Sequence, residues 1–284
     1  MKKNRKSLVV ILLVLILLTG CTKTLTTKDK KAVRNPETGQ SLTENILCRP
    51  KDKDTIKIYE DNKVNIGKLP ECESFKVNSG GYEGLWTSIF VKPLAWVIIQ
   101  IGNIVKNYGL SLVIVSLIIR LIAFPVTRKT AMQSEMLKNA KPELDKLEKK
   151  YNVNPVSGCL FSFIQLPLFI GFLEAINRVP AIFEEHFIGF QLGTTPIIAL
   201  QHGNFLYLLL TVIVGLTTYY SFKNNTAAMG DNKQAATMNR TMVIMITVMS
   251  LFMTSALNIY WITTNLFTVV QNLLVKRGKK HEKK

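Results

Sequence analysis

The sequence predicts an all-α polytopic membrane protein, five transmembrane helices with one amphipathic helix lying on the outer surface. Three observations lead there. Of 284 residues, 48% are hydrophobic even though Lys and Arg outnumber Asp and Glu by 36 to 19, a formal charge of +17. The apolar residues gather into five nearly charge-free runs of 17 to 21, long enough to cross a hydrocarbon core of about 30 Å at about 1.5 Å per helical residue. The basic residues collect in alternate connections between the runs, as the positive-inside bias requires. A disordered chain lacks such runs, and a soluble nucleic-acid binder spreads its Lys and Arg over a polar surface, so neither class fits and no specific nucleic acid is expected. Cys21, Cys48, Cys72 and Cys159 form no C-x-x-C and have no histidine at metal spacing, which leaves a metal or redox centre without support.

Residues 1–20 read as a signal peptide. Lys2, Lys3, Arg5 and Lys6 precede an eleven-residue apolar run, Leu8 to Leu18, that is too short to span comfortably. Leu18-Thr19-Gly20-Cys21 resembles the lipobox of bacterial lipoproteins. That implies a covalent lipid on Cys21 as the mature N-terminus outside the cell, and no other cofactor; an uncleaved signal anchor is the alternative. Residues 21–84 read as an extracellular tether. From Thr22 to Glu83 there are 12 basic and 10 acidic residues, no apolar period, and turn signals at Asn35-Pro36, Gly39 and Gly80-Gly81, so little structure is expected. Cys48 and Cys72 share a compartment that permits a disulfide across a loop of about 25 residues. Free thiols are equally open.

The spans are Gly109–Val126, Val156–Ile176, Asn204–Phe222, Thr241–Leu257 and Asn258–Val275. Residues 127–155 hold seven basic residues, 223–240 three, and the tail after Val275 six, whereas 177–203 has Arg178 alone, with Glu174, Glu184 and Glu185 nearby. The bias therefore puts the basic connections and the 278–284 tail in the cytoplasm, and five spans agree with an N-terminus outside. Residues 86–107 are apolar enough to pass for a sixth span. Gln100, Asn103, Lys106 and Asn107 nevertheless share one face at helical spacing, with Pro93 near the start. A sixth crossing would break the parity, so this segment reads as an interfacial helix on the outer surface.

Arg120 stands eleven residues into the first span. An arginine at that depth costs roughly 2.5–3.5 kcal/mol on insertion scales, so it faces protein or a water-filled cavity. Snorkelling from Arg120 would have to cover about 10 Å toward Thr127. Ser116, one turn earlier on the same face, lines the same wall unless its hydroxyl bonds back to its own helix. Met238, Met242, Met245, Met249 and Met253 follow helical spacing in the fourth span, as ordinary packing or as a soft wall for varied helices. Gln165 places a polar contact and Pro167 a kink in the second span. Tyr260 and Trp261 fit an interfacial aromatic belt.

Taken in order, Asn107-Tyr108-Gly109-Leu110-Ser111 leading to Arg120 and Pro125, Lys141-Pro142-Glu143-Leu144, Val153-Asn154-Pro155-Val156-Ser157-Gly158-Cys159-Leu160, Gln165-Leu166-Pro167, and Leu257-Asn258-Ile259-Tyr260-Trp261 followed by Asn265 and Gln271 resemble the YidC-type membrane protein insertases. The similarity covers roughly residues 85–277, and the lipobox with five spans is similar to the Gram-positive lipoprotein branch. The resemblance implies five helices around a hydrophilic groove, open to the cytoplasm and the lipid, with Arg120 in it and Ser116, Gln165, Tyr260 and Trp261 as further groove residues. It implies an insertase and chaperone rather than an enzyme, with nascent membrane proteins as clients and the Sec translocon, the ribosome and membrane lipid as partners. The physics agrees: unpaired backbone groups in hydrocarbon cost several kcal/mol each, and a wet, positive pocket reaching halfway across shortens that barrier. Two departures stand out. Leu144 to Tyr151 runs straight into Asn152-Val153-Asn154-Pro155, so the second arm of the family's cytoplasmic hairpin is absent or greatly shortened, and Phe161 stands where many relatives have proline. The alternative function is a lipid-anchored transporter or channel component in which Arg120 binds an anionic solute, although the spans show no internal repeat that would favour it. No phosphate-binding G-x-x-x-x-G-K-[ST] occurs, and His186 and His202 have no nucleophile or carboxylate at a recognisable spacing.

Overall fold

The computed structural model describes residues 22–125, 127, 128, 132, 162–226 and 233–282. Cys21, most of the 127–155 connection and the start of the second span lie outside them.

Residues 22–84 form a packed cap, which corrects the expectation of a loose tether. Three short segments pair through Thr24↔Thr43, Thr26↔Ala32 and Arg34↔Ser41. Leu25 and Leu42 turn inward from them, and Ile46, Tyr59, Ile66 and Phe183 complete a buried cluster. Helix α1, Lys53–Asp61, starts at Asp52, whose carboxylate accepts from the Thr55 backbone N–H at 2.8 Å. Cys48 and Cys72 are bonded, with Cα atoms 4.9 Å apart. The physical reason for the correction is spacing: each segment contributes one or two apolar residues, too few to make a period, and the cross-link supplies what so small a core lacks.

A π-turn at Thr87–Val91 leads into α2, Lys92–Val105, with Pro93 in its first turn. Lys106 then adopts a left-handed conformation (φ 57°), and α3, Tyr108–Pro125, begins at once. Asn107 caps α3 by accepting from Leu110 N–H at 2.8 Å. The corner is tight: a Cβ on Gly102 would run into the Tyr108 ring, and the Ser111 hydroxyl donates to the Ile98 carbonyl at 2.5 Å.

Helix α4, Ser162–Arg178, carries Pro167 inside it. The 179–204 loop follows, made of a short helix, Pro180–Phe183, a hairpin of β1 (His186–Phe187) and β2 (Phe190–Gln191), and a second short helix, Pro196–Gln201. Helices α5 (Leu208–Thr226), α6 (Lys233–Ser250) and α7 (Ser255–Glu282) complete the chain, α5 packing along both α6 and α7. Gly215 lets α5 approach Thr247 of α6 closely. The α6–α7 turn occupies 251–254, so the junction expected between Leu257 and Asn258 moves back. Hydropathy could not place it, because Leu251-Phe252-Met253 stay apolar through the turn. Asn258 sets it structurally, donating to the Ser250 carbonyl at 3.0 Å while the Ser255 hydroxyl donates to the Thr194 carbonyl at 2.8 Å.

Three stretches among the described residues are long and apolar enough to cross a membrane: Thr87–Val105, Tyr108–Pro125 and Phe205–Lys223. The main core joins the two regions of the molecule, since Cys48, Cys72 and Phe75 of the cap pack with Trp86, Ile98, Phe172, Ile182 and Tyr260.

Candidate functional site

Helix α3 places Arg120 twelve residues after its start at Tyr108, about 18 Å along the axis. Its side chain is half-buried and lies within electrostatic reach of Tyr260 on α7. Among the described residues the ion pairs join Arg49 to Glu71, Lys51 to Glu73, and Arg178 to Glu83 and Glu174, and none reaches Arg120. Its neighbours Leu117, Ile118, Leu121 and Ile122 face outward. A guanidinium in that setting keeps five donors for something other than a fixed carboxylate.

Ser116 is 1% exposed, and its hydroxyl donates to the Leu112 carbonyl of its own helix at 2.6 Å. The other predicted residues fall on α4 and α7. Tyr260 is buried and stacks on Phe172 with centroids 4.3 Å apart, and Trp261 meets Phe169 edge-on at 5.0 Å. The Trp261 indole N–H donates to Thr218 Oγ1 at 3.3 Å, and Asn265 donates to the same oxygen at 2.8 Å. Tyr260, Trp261, Phe169, Phe172 and Thr218 therefore form one aromatic and polar seam joining α4, α5 and α7. Gln165 lies on α4, its side chain outside the described residues. At the other end of α3, Thr127 donates to the Gln271 side-chain carbonyl at 3.2 Å, fastening α3 to α7.

Of the methionine series along α6, four side chains are described: Met245 and Met249 are exposed, Met242 is half-buried, and Met253, beyond the end of α6, packs on the core.

Sequence reasoning missed the fastening of α4 to the cap. Arg178 has no exposed surface. Its Nε donates to the Asn45 carbonyl at 2.7 Å, and its Nη2 to Glu83 Oε2 at 2.5 Å. Glu174, one turn earlier, accepts from the Trp86 indole at 3.1 Å. The Glu174/Arg178 spacing of i, i+4 was the available signal; the partners at 45 and 83 come from the cap and leave no local trace.

Chemically, the site offers a cation that no acid among the described residues pairs with, an aromatic seam and outward apolar helix faces, a set suited to holding polar and apolar segments of another chain without making bonds. The chain matches the family described as 60Kd inner membrane protein over residues 149–283. It is 31% identical over 225 residues to the membrane protein insertase YidC of Oceanobacillus iheyensis, covering 69% of this chain and 85% of that one. It is 32% identical over 215 residues to the membrane protein insertase MisCA of Bacillus subtilis, covering 67% and 79%. A solved structure described as an active YidC insertase with its first transmembrane domain resolved is 22% identical, at a TM-score of 0.48, over 76% of this chain and 52% of that one, so this chain spans about half its length.

Proposed function

Because this chain belongs to the YidC-type membrane protein insertases, we propose that it carries nascent membrane proteins into the bilayer through a hydrated groove whose positive charge is Arg120. Acidic or polar residues of the incoming segment meet the guanidinium, and the client's apolar segment passes along the outward faces of the spans into lipid. The observation that carries this reading is Arg120 itself, half-buried in an apolar helix and, among the described residues, without an acid to neutralise it.

The proposed arrangement has five spans, α3 to α7, a cytoplasmic C-terminus and an N-terminus outside, tethered by lipid on Cys21. Helix α2 lies along the outer surface. Contacts near both of its ends support that: Lys92 Nζ donates to the cap carbonyls of Ser79 and Gly81 at 2.8 and 2.9 Å, and Asn103, three turns on, donates to Glu73. A helix touching the cap along its length runs beside it, whatever its apolar length allows. Cooperation with the Sec translocon and the ribosome belongs to the same proposal.

The test uses proteoliposomes and two clients that differ only in acidic or neutral translocated residues. Arg120→Lys keeps most of the insertion. Arg120→Ala lowers insertion of the acidic client by about tenfold, equivalent to about 1.4 kcal/mol of barrier, and spares the neutral one. Equal insertion of both clients by Arg120→Ala, with only the amount of folded protein reduced, overturns the proposal.

A further inference from the structure

We propose that the tip of the β1–β2 hairpin is a lipid anchor, with Ile188 seated in the outer leaflet of the bilayer. The turn consists of Ile188 and Gly189, at φ 51° and 81°. A two-residue hairpin turn with both φ positive suits Asn-Gly, whereas a β-branched residue there is a genuine outlier. Among the described residues nothing offsets it: Ile188 is 76% exposed, and a Cβ built at Gly189 meets no atom within 4 Å. An exposed isoleucine in a strained turn gains nothing in water, but burying it in hydrocarbon stabilises it roughly in proportion to the apolar area covered.

The base of the hairpin stands at the level where two apolar helices begin. Asn107, the cap of α3, donates to the His186 carbonyl at 3.3 Å, and Gly109 is pressed against the Phe187 ring. On the other side the Tyr207 hydroxyl accepts from Gln191 N–H at 2.8 Å, just before α5. Phe205, beside that contact, is 70% exposed. Ile188 thus extends the outward apolar surface at the depth where α3 and α5 start. The inference rests on the proposed reading of those two helices as spans.

A fluorophore on Ile188→Cys in a Cys159→Ser background, with Phe205→Cys and Lys30→Cys as references, is measured in proteoliposomes containing phospholipids spin-labelled near the headgroup. Quenching at Ile188 and Phe205 but not at Lys30 supports the anchor. Quenching at Phe205 alone overturns it, and quenching at neither removes the span reading and the anchor with it. Since the dye is itself apolar, hydrogen exchange of residues 186–191 in nanodiscs provides a second measurement. Asparagine tolerates the left-handed turn better than isoleucine, so Ile188→Asn strengthens a hairpin that is only a turn. For an anchored hairpin the same change speeds exchange several-fold, and slower exchange overturns the proposal.

Discussion

Arg178 shows how one side chain binds the cap to the helices. It is wholly buried, and it is placed between Glu83 of the cap, 2.5 Å away, and Glu174 of its own helix, 4.0 Å away. Removing one member of such a group leaves the other charge buried without a partner, so Arg178→Ala is expected to cost about 3–5 kcal/mol of stability. Glu174→Gln is expected to cost under about 1 kcal/mol, because an amide oxygen accepts the Trp86 indole bond as well as Oε1 does, and Arg178, 4.0 Å from Oε2, keeps the closer Glu83 carboxylate as its partner. Unfolding in detergent micelles measures both. A similar loss for the two variants would show that the Glu174 charge matters more than its geometry implies. Residue-level legibility in the sequence followed this difference between local and distant partners. Arg120 stood out as a position because it is a charge inside an apolar run, its role in a groove belonging to the proposal, and the back-bonded hydroxyl of Ser116 was one of the two outcomes open to it. The role of Arg178 depends on Asn45 and Glu83, more than ninety residues away, and no pattern around position 178 contains them.

At the level of elements, α3 and α5 were readable because their apolar runs are long and nearly unbroken, whereas α7 is interrupted by Thr, Asn and Gln and falls short of that hydropathy. The cap was not, because its order comes from scattered single residues and a cross-link. Two predictions follow from its construction. The disulfide closes a separation of 24 residues, so Cys48→Ser with Cys72→Ser is expected to destabilise the cap by about 3 kcal/mol on the chain-entropy account. Limited proteolysis within 22–84, with cleavage in the variant and resistance in the parent, checks it. The second concerns Glu184, whose carboxylate accepts from Lys51 N–H at 3.0 Å where the cap meets the 179–204 loop. Burial pushes its pKa up to about 7 from the ordinary 4.5; Asp52 raises it further, and the Lys51 and Asp52 backbone N–H groups and the Lys51 charge pull against it. Tyr59 also faces it, its phenol pushed up by burial and by Glu184. A raised carboxyl holds its proton in the docked state and loses it in the undocked one. Docking is therefore strongest below the ordinary value, weakens as pH rises toward 7, and levels off above it. The melting midpoint is expected to fall between pH 5 and 8, and Glu184→Gln is expected to flatten that slope. An unchanged slope in the variant would assign the effect to another group.

For the whole molecule, the packing of cap, 179–204 loop and helix starts into one core makes orientation a single question, because these parts cannot lie on opposite sides of a membrane. Thr22 to Thr24 already pair with the cap through Lys23 N–H to Asn45 and the Thr24↔Thr43 bridge, so a lipid on Cys21 would hold the folded cap with no slack between them. If the cap is outside, the 179–204 loop it covers is outside too, and the chain direction then places Arg128 and the end of α7 in the cytoplasm. The probe in the outer loop has to avoid Gly193, where any side chain would press on Gln40 and the Phe183 carbonyl. His202 is exposed at the end of its short helix and serves instead. In intact cells carrying Cys159→Ser, a membrane-impermeant maleimide is expected to label His202→Cys, and to label Arg128→Cys and Gly278→Cys only after lysis. Labelling of Gly278→Cys from outside would require an even number of crossings between the cap and the tail. Among the described residues the candidate for the extra crossing is Thr87–Val105, the apolar helix that contacts the cap at Lys92 and again at Asn103. That result would overturn both the five-span arrangement and the surface position of α2, whereas the predicted pattern leaves the basic connections facing the cytoplasm, where the bias in Lys and Arg put them.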